Sequence, residues 1–162
     1  MTIPLVHLTD LQILVANIVL WGLAHGLSGY VAHRLPLDRL TCDGPLLRLR
    51  AFEAGGRCYR RWGIHRWKDR LPDAGDLFSG GTSKRQLTAY DVAGLEAFAR
   101  ETRRAELAHW WALFCGPLFV LWNPPLAAAL LVTYGVLVNL PFILIQRYNR
   151  FRIDAITARL RR

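Results

Sequence analysis

Two long stretches of the chain are almost free of ionisable side chains, and they constrain the fold more than any other feature. Apart from tyrosine, residues 11–31 contain one ionisable residue, His25, and residues 126–145 contain none. As a helix, the first stretch is about 31 Å long, enough to cross the apolar core of a bilayer. A third stretch, residues 107–122, is apolar except for His109, but its helical length of about 24 Å is short for a span. The sequence therefore predicts a small, mainly α integral membrane protein.

The basic residues indicate how such a chain is oriented. Of the 21 Lys and Arg, none falls in residues 1–33 or 105–146, fifteen lie in residues 34–104, and six lie in residues 147–162. Because basic residues concentrate on the cytoplasmic side of membranes, we expect three crossings with the amino terminus outside. The expected location is the plasma membrane of a bacterium. A pI of about 10.3 is also typical of nucleic-acid binders, but arginines that flank apolar spans favour anionic lipid as the partner, and no nucleic acid.

The pattern divides the chain into four segments of one membrane domain. Residues 11–33 are a transmembrane helix, and residues 34–105 are a basic interfacial or cytoplasmic region. Residues 106–146 form a transmembrane or re-entrant hairpin, and residues 147–162 form a basic tail. A cleaved signal peptide is the alternative for the first segment, but the long apolar run without a positive leader favours a retained anchor.

Small residues on the first helix suggest how it packs. Gly22, Gly26 and Gly29 lie near one face, so we expect this face to approach the hairpin closely. The same face would also suit packing on a second copy of the chain, so the sequence leaves a homo-oligomer open. His25 lies beside it, and its expected role is helix packing.

The strongest candidate for chemistry lies where charged sequence enters the hairpin. Thr102, Glu106 and His109 are three or four residues apart and so share one helical stripe. We expect Glu106 to hydrogen-bond one ring nitrogen of His109, the arrangement of a base that deprotonates a hydroxyl. Di-metal helical bundles repeat the same spacing on a second helix, which this chain does not, so no metal is expected. The alternative is a solvated helix end with His109 near the membrane surface.

The turn of the hairpin predicts which residues face each other. Counting outward from Pro124 places His109 opposite Asn139 and Glu101 opposite Arg147. Asn139 would then position His109 or a substrate carbonyl, and Arg147 would neutralise Glu101. The alternative for the basic sequence after residue 146 is a flank that merely anchors the last span.

A glycine-containing loop at residues 80–84, G-G-T-S-K, is only superficially like a phosphate-binding loop. It lacks the required spacing and no strand precedes it, so the P-loop interpretation fails. Two interpretations remain for this loop. It either contacts the phosphate of a lipid headgroup or of coenzyme A, or it is an ordinary surface turn.

Three motifs together resemble a known family. They are W-K at residues 67–68, E-T-x-R-A-E-x-x-H-W at residues 101–110 and Q-R-Y-N-R at residues 146–150. They resemble the glycosyl-4,4'-diaponeurosporenoate acyltransferases of carotenoid synthesis over about the last hundred residues. The resemblance implies an enzyme that esterifies a sugar hydroxyl of a membrane glycosyl carotenoid with a fatty acyl chain. The Arg-, Ala- and Leu-rich composition departs from that family and leaves a different glycolipid acceptor open.

The sequence thus predicts a membrane O-acyltransferase that needs no cofactor and uses acyl-CoA or another acyl carrier as co-substrate. Its predicted catalytic residues are a base, its orienter and an amide near the acyl carbonyl: His109, Glu106 and Asn139. Its predicted substrate-binding residues are polar or aromatic groups at the membrane surface: Glu101, Arg104, Arg147, Asn149, Arg150, Trp67 and Lys68. The alternative function is a non-catalytic membrane scaffold that binds anionic lipid.

Overall fold

A computed structural model describes residues 6–71 and 91–162 of the chain, and within those ranges the structure is helical without strands. In those ranges the α-helices are α1 Asp10–His33, α2 Arg57–Arg61, α3 Ile64–Trp67, α4 Val92–Cys115 and α5 Pro125–Leu160. Short 3₁₀ segments are Leu37–Leu40, Ala51–Gly56, Lys68–Arg70 and Gly116–Leu121. The predicted loop at residues 80–84 lies outside the described residues. The prediction of a small, mainly α membrane protein is confirmed.

Helices α1 and α5 are each long and apolar enough to cross a membrane, by length and composition. Large apolar side chains along α1 are exposed, among them Leu11 at 70% and Ile18 at 66%. The same holds for the first half of α5, where Leu126 is 75% exposed. A helix whose outer surface is this apolar meets lipid rather than water.

Helices α4 and α5 form the hairpin, and both extend beyond residues 106–146. Asp91 is the N-cap of α4, and its side chain accepts a hydrogen bond from the amide of Gly94 at 2.8 Å. The 3₁₀ segment Gly116–Leu121 leads into the turn, and Pro125 opens α5 at the position where helices tolerate proline best. Each helix of the hairpin is therefore continuous from its charged end to its apolar end.

Helix α1 packs on the hairpin through Trp21, and not through the glycine face that the sequence predicted. The Trp21 ring is 5% exposed, stacks on Phe119 at 4.8 Å, and lies so close to Gly135 that a Cβ there would come within 2.6 Å. Gly22 and Gly26 are exposed, and a Cβ added at either would have no neighbouring atom within 4 Å. An indole gains more buried apolar area than a glycine stripe, so the tryptophan face is the one that packs.

A reciprocal amide pair ties α1 to the turn of the hairpin. Asn17 and Asn123 exchange side-chain hydrogen bonds of 2.9 and 3.0 Å, and the indole N–H of Trp122 also donates to Asn17 at 2.8 Å. Polar groups in an apolar environment need such partners. These contacts join α1 to the turn of the hairpin.

Candidate active site

His109 on α4 faces Asn139 on α5, as the count outward from Pro124 predicted. The Nδ1 atom of His109 lies 3.1 Å from the Oδ1 atom of Asn139. The Asn139 amide group donates to the carbonyl of Gly135 at 2.9 Å, which turns its oxygen towards the imidazole. Nδ1 is therefore the nitrogen that carries the proton, and in the neutral ring the lone pair lies on Nε2.

The imidazole plane is fixed as well as its tautomer. The ring of His109 stacks on Phe142 with 4.7 Å between centroids and 10° between planes. The ring is half-buried, whereas Asn139 is wholly buried. A neutral imidazole held by a hydrogen bond and a stacked ring has the orientation that a general base needs.

Glu106 lies one turn before His109, and its carboxylate is engaged with other partners. One oxygen accepts hydrogen bonds from the indole of Trp110 at 3.1 Å and from Arg147 at 2.7 Å, and the other accepts from Arg150 at 2.8 Å. The prediction that Glu106 fixes the tautomer of His109 is therefore corrected, because the partner at Nδ1 is Asn139. A carboxylate buried this deeply requires cationic partners, and α5 supplies two of them.

Arg147 uses all five of its N–H groups within the protein. Nη1 donates to the carboxylate of Glu106 at 2.7 Å and to the carbonyl of Leu46 at 3.4 Å. Nη2 donates to the carboxylate of Glu53 at 2.7 Å and to the carbonyl of Arg48 at 2.9 Å. The Nε atom donates to Glu53 at 2.8 Å. Since arginine has five N–H donors, none is left for a substrate, and the predicted pairing with Glu101 does not form.

Arg150 and Asn149 also differ from the substrate-binding prediction. Arg150 is completely buried between Glu106 and the carbonyl of Leu47, and so does not face solvent or lipid. Asn149 is half-buried and lies about 15 Å along α5 from Asn139, too far to hold the same acyl carbonyl. Asn149 is therefore remote from the imidazole, and Arg150 is enclosed by protein.

Glu53 is the member of this network that the sequence did not indicate. It is 2% exposed and bridges the loop to α5 through Arg147. Burial alone would raise its pKa, but hydrogen bonds from Arg147, from the amide of Arg50 and from the Tyr59 hydroxyl lower the pKa to about 2. For Tyr59, burial and the neighbouring carboxylate raise the hydroxyl pKa above its usual value. A lone carboxylate in a basic loop follows no recognisable spacing, so no sequence signal marked it.

The remaining predicted substrate-binding residues each contact another group of the protein. Glu101 pairs with Arg104 at 2.7 Å along the same helix, and Arg104 also donates to the last carbonyl of α1, that of His33, at 3.3 Å. Trp67 is half-buried and donates to the carbonyl of Trp62. Lys68 pairs with its neighbour Asp69.

Within residues 6–71 and 91–162, no cluster of three or more His, Cys, Asp or Glu side chains is placed to hold a metal ion. One polar-rimmed surface cavity of about 460 Å³ opens beside α5, lined by residues 48–51, Glu53 and Phe151. The described part of the site thus consists of an oriented imidazole inside the hairpin, a buried charge network one turn away, and a cavity beyond that network.

Comparison with known proteins gives a consistent result. The family model of glycosyl-4,4'-diaponeurosporenoate acyltransferase matches residues 44–159. Proteins of that name from Staphylococcus aureus strains USA300 and NCTC 8325 / PS 47 are each 30% identical over 112 residues, which is 68% of this chain and 67% of theirs. The protein of strain MRSA252 is 29% identical over 113 residues, again 68% and 67%. No solved structure matches the chain.

Proposed function

Because the chain belongs to the glycosyl-4,4'-diaponeurosporenoate acyltransferase family, we propose that it transfers a fatty acyl chain to a sugar hydroxyl of a glycosylated carotenoid or a similar membrane glycolipid. Family membership favours an acyltransferase over a non-catalytic scaffold. The observation that carries the proposed chemistry is the His109–Asn139 pair, an imidazole of fixed tautomer inside an apolar hairpin.

In the proposed reaction, His109 is the general base. Nε2 accepts the proton of the sugar hydroxyl as the hydroxyl oxygen bonds to the acyl carbonyl carbon. Collapse of the tetrahedral adduct breaks the bond between that carbon and the donor's leaving sulfur or oxygen. The leaving group then takes the proton from the imidazolium, which yields the ester, the deacylated donor and a neutral ring.

Asn139 and Glu106 have different supporting roles in this proposal. Asn139 accepts a hydrogen bond from Nδ1–H and so leaves the lone pair of the neutral ring on Nε2. Glu106 positions the two helices, because its ion pairs with Arg147 and Arg150 join α4 to α5 one turn from the base. The amide replaces the carboxylate that many catalytic histidines use, which limits the stabilisation of the imidazolium.

The apolar surroundings suit the proposed acceptor. The exposed apolar faces of α1 and α5 lie in lipid, where a glycosyl carotenoid is dissolved. The proposed location is the plasma membrane of a bacterium, with the charged ends of the hairpin on the cytoplasmic side. There the sugar of the acceptor and an acyl donor can meet at the membrane surface.

The direct test compares His109→Ala, Asn139→Ala and a control, Leu137→Ala, on the lipid-facing side of α5. Purified proteins receive acyl-CoA and a glycosyl carotenoid, and the ester is quantified by chromatography. We expect His109→Ala to lose at least about 100-fold in turnover, Asn139→Ala to lose less, and the control to remain active. Unchanged turnover in a His109→Ala protein with normal thermal unfolding would remove the base from the proposal.

A further inference from the structure

The cavity beside α5 has an excess of positive charge. Arg48 and Arg50 line it and are both exposed, and neither forms an ion pair with any residue in the described ranges. The carboxylate at its base, Glu53, is neutralised by Arg147 through Nε and Nη2. Leu49 and Phe151 complete the wall with apolar surface. An anion with an apolar portion is therefore the ligand that this surface complements.

The buried network holds the cavity in shape. Arg147 donates to the carbonyls of Leu46 and Arg48, and Arg150 donates to the carbonyl of Leu47. Hydrogen bonds to these three consecutive carbonyls fix the backbone that carries the Arg48 side chain. Arg50 donates to the carbonyl of Pro45 at 3.2 Å, and its amide donates to Glu53. Both guanidinium groups thus start from an anchored main chain, which lowers the entropy lost on binding a ligand.

The cavity lies at the charged end of the hairpin, further along α5 than Asn139, the partner of the imidazole. Phe151 follows Asn139 by about 18 Å of helical rise, and the network of Arg147 lies between them. A donor held at the cavity by its head needs a long flexible arm to bring its acyl carbonyl to His109. Because Arg147 has no N–H group left and Arg150 is completely buried, the anion must be bound by arginines outside the network.

We propose that this cavity binds the phosphate-bearing head of the acyl donor, with Arg48 and Arg50 donating to its phosphate oxygens. Guanidinium groups bind phosphate through paired, charge-assisted hydrogen bonds, which suits two arginines on one rim. The phosphate belongs either to a phosphopantetheine thioester such as acyl-CoA or to a phospholipid that gives up an acyl chain. The assignment of the ligand as a donor rests on the proposed acyl transfer, whereas the phosphate site itself does not.

Binding is measured first, without turnover. Full-length protein in nanodiscs of uncharged lipid is titrated with coenzyme A, for the wild type, Arg48→Ala/Arg50→Ala, and the control Arg159→Ala/Arg162→Ala. The control removes the same charge from exposed positions at the end of the chain. We expect the first pair of substitutions to raise Kd at least about tenfold and the control to change it less than about twofold. Equal Kd values for all three proteins would overturn a coenzyme A site at Arg48 and Arg50.

Turnover then separates the two sources of phosphate. With acyl-CoA as the donor, the double variant should have a higher KM than the wild type. An N-acetylcysteamine thioester of the same acyl chain has no phosphate, so it should react at equal rates with the variant and the wild type. If acyl-CoA is not used but a phospholipid donor is, and its KM rises in the variant, the phosphate site stands with lipid as its source. If no donor shows a KM that depends on Arg48 and Arg50, the donor assignment falls. Coenzyme A binding that needs both arginines in a protein without acyl transfer would retain the site and reject the proposed function.

Discussion

Each buried carboxylate of the site is neutralised by an arginine from α5. Glu106 is fully buried and contacts Arg147 and Arg150, and Glu53 is 2% exposed and contacts Arg147. A buried charge of this kind is tolerable only while its partner is present, and removal of one partner costs about 3–5 kcal/mol. At the scale of single residues, the network therefore acts mainly on stability and on the distance between helices.

The first prediction contrasts two glutamates on the same helix. Glu106→Gln should lower the free energy of unfolding by about 3–5 kcal/mol, because two buried guanidinium groups lose their counter-charge. Glu101→Gln, the matched control, removes a partly exposed partner of Arg104 and should cost less than about 1 kcal/mol. Thermal unfolding in detergent, followed by circular dichroism, measures both. Similar losses in the two variants would contradict the structural role of the buried network.

A second prediction follows from the low pKa of Glu53. In the folded protein this pKa is about 2, below the usual 4.5, so the ionised form contributes stability that is complete above about pH 4.5. That contribution is lost as the pH falls from about 4.5 towards 2. Unfolding temperatures of the wild type should therefore drop over this interval, and the drop should be smaller in Glu53→Gln. An identical acid profile in the variant would show that other carboxylates control the transition.

The residue contacts also show what the sequence could and could not predict. The His109–Asn139 pair follows from a short turn between two helices, which keeps residues equally distant from Pro124 at similar depth. The same count failed for Arg147, because an arginine side chain extends past one helical turn and reached better-buried carboxylates. One of those, Glu53, lies 94 residues earlier in the chain, and no local pattern encodes such a contact.

At the scale of elements, helix packing is decided by one aromatic side chain. Trp21 fills the crossing of α1 with the hairpin, where Gly116 and Gly135 make room for its ring. The sequence predicted a small-residue packing surface on α1, whereas the glycines at this crossing are on the hairpin and the bulky partner is on α1. Hydropathy predicts that helices form and where they lie in the membrane, whereas the face that packs depends on the shape of the partner helix.

Two glycine substitutions test this packing. Gly135→Ala should destabilise the protein, because its Cβ would lie 2.6 Å from a ring carbon of Trp21 and the ring must move. Gly22→Ala should be neutral or should stabilise by up to about 1 kcal/mol, since nothing lies within 4 Å and alanine favours the helix. Thermal unfolding of both variants, with the emission spectrum of the indoles as a local probe, gives the answer. Destabilisation by Gly22→Ala instead would indicate that the exposed glycine face packs on another copy of the chain.

For the whole molecule, the clustering of basic residues at one end of the helices predicts a single orientation in the membrane. The region 34–104 and the tail after residue 146 should face the cytoplasm, and the turn at Pro124 should face outward. Cys42 is exposed on the basic side and is a natural label, provided that Cys58 and Cys115 are changed to Ser. A membrane-impermeant maleimide should then leave Cys42 unlabelled in intact cells and label it in inverted vesicles.

A second protein has all three native cysteines changed to Ser and carries Pro124→Cys, at an exposed position of the turn, as its labelling site. We expect the maleimide to label this cysteine in intact cells and not in inverted vesicles. Labelling of Cys42 in intact cells would place the cavity at Arg48 and Arg50 outside. A cytosolic thioester could not reach it there, and the donor would have to be a lipid of the outer leaflet. The orientation of the helices thus decides which of the two phosphate-bearing donors is accessible, because the proposed donor site is held against the charged end of the hairpin that carries the proposed base.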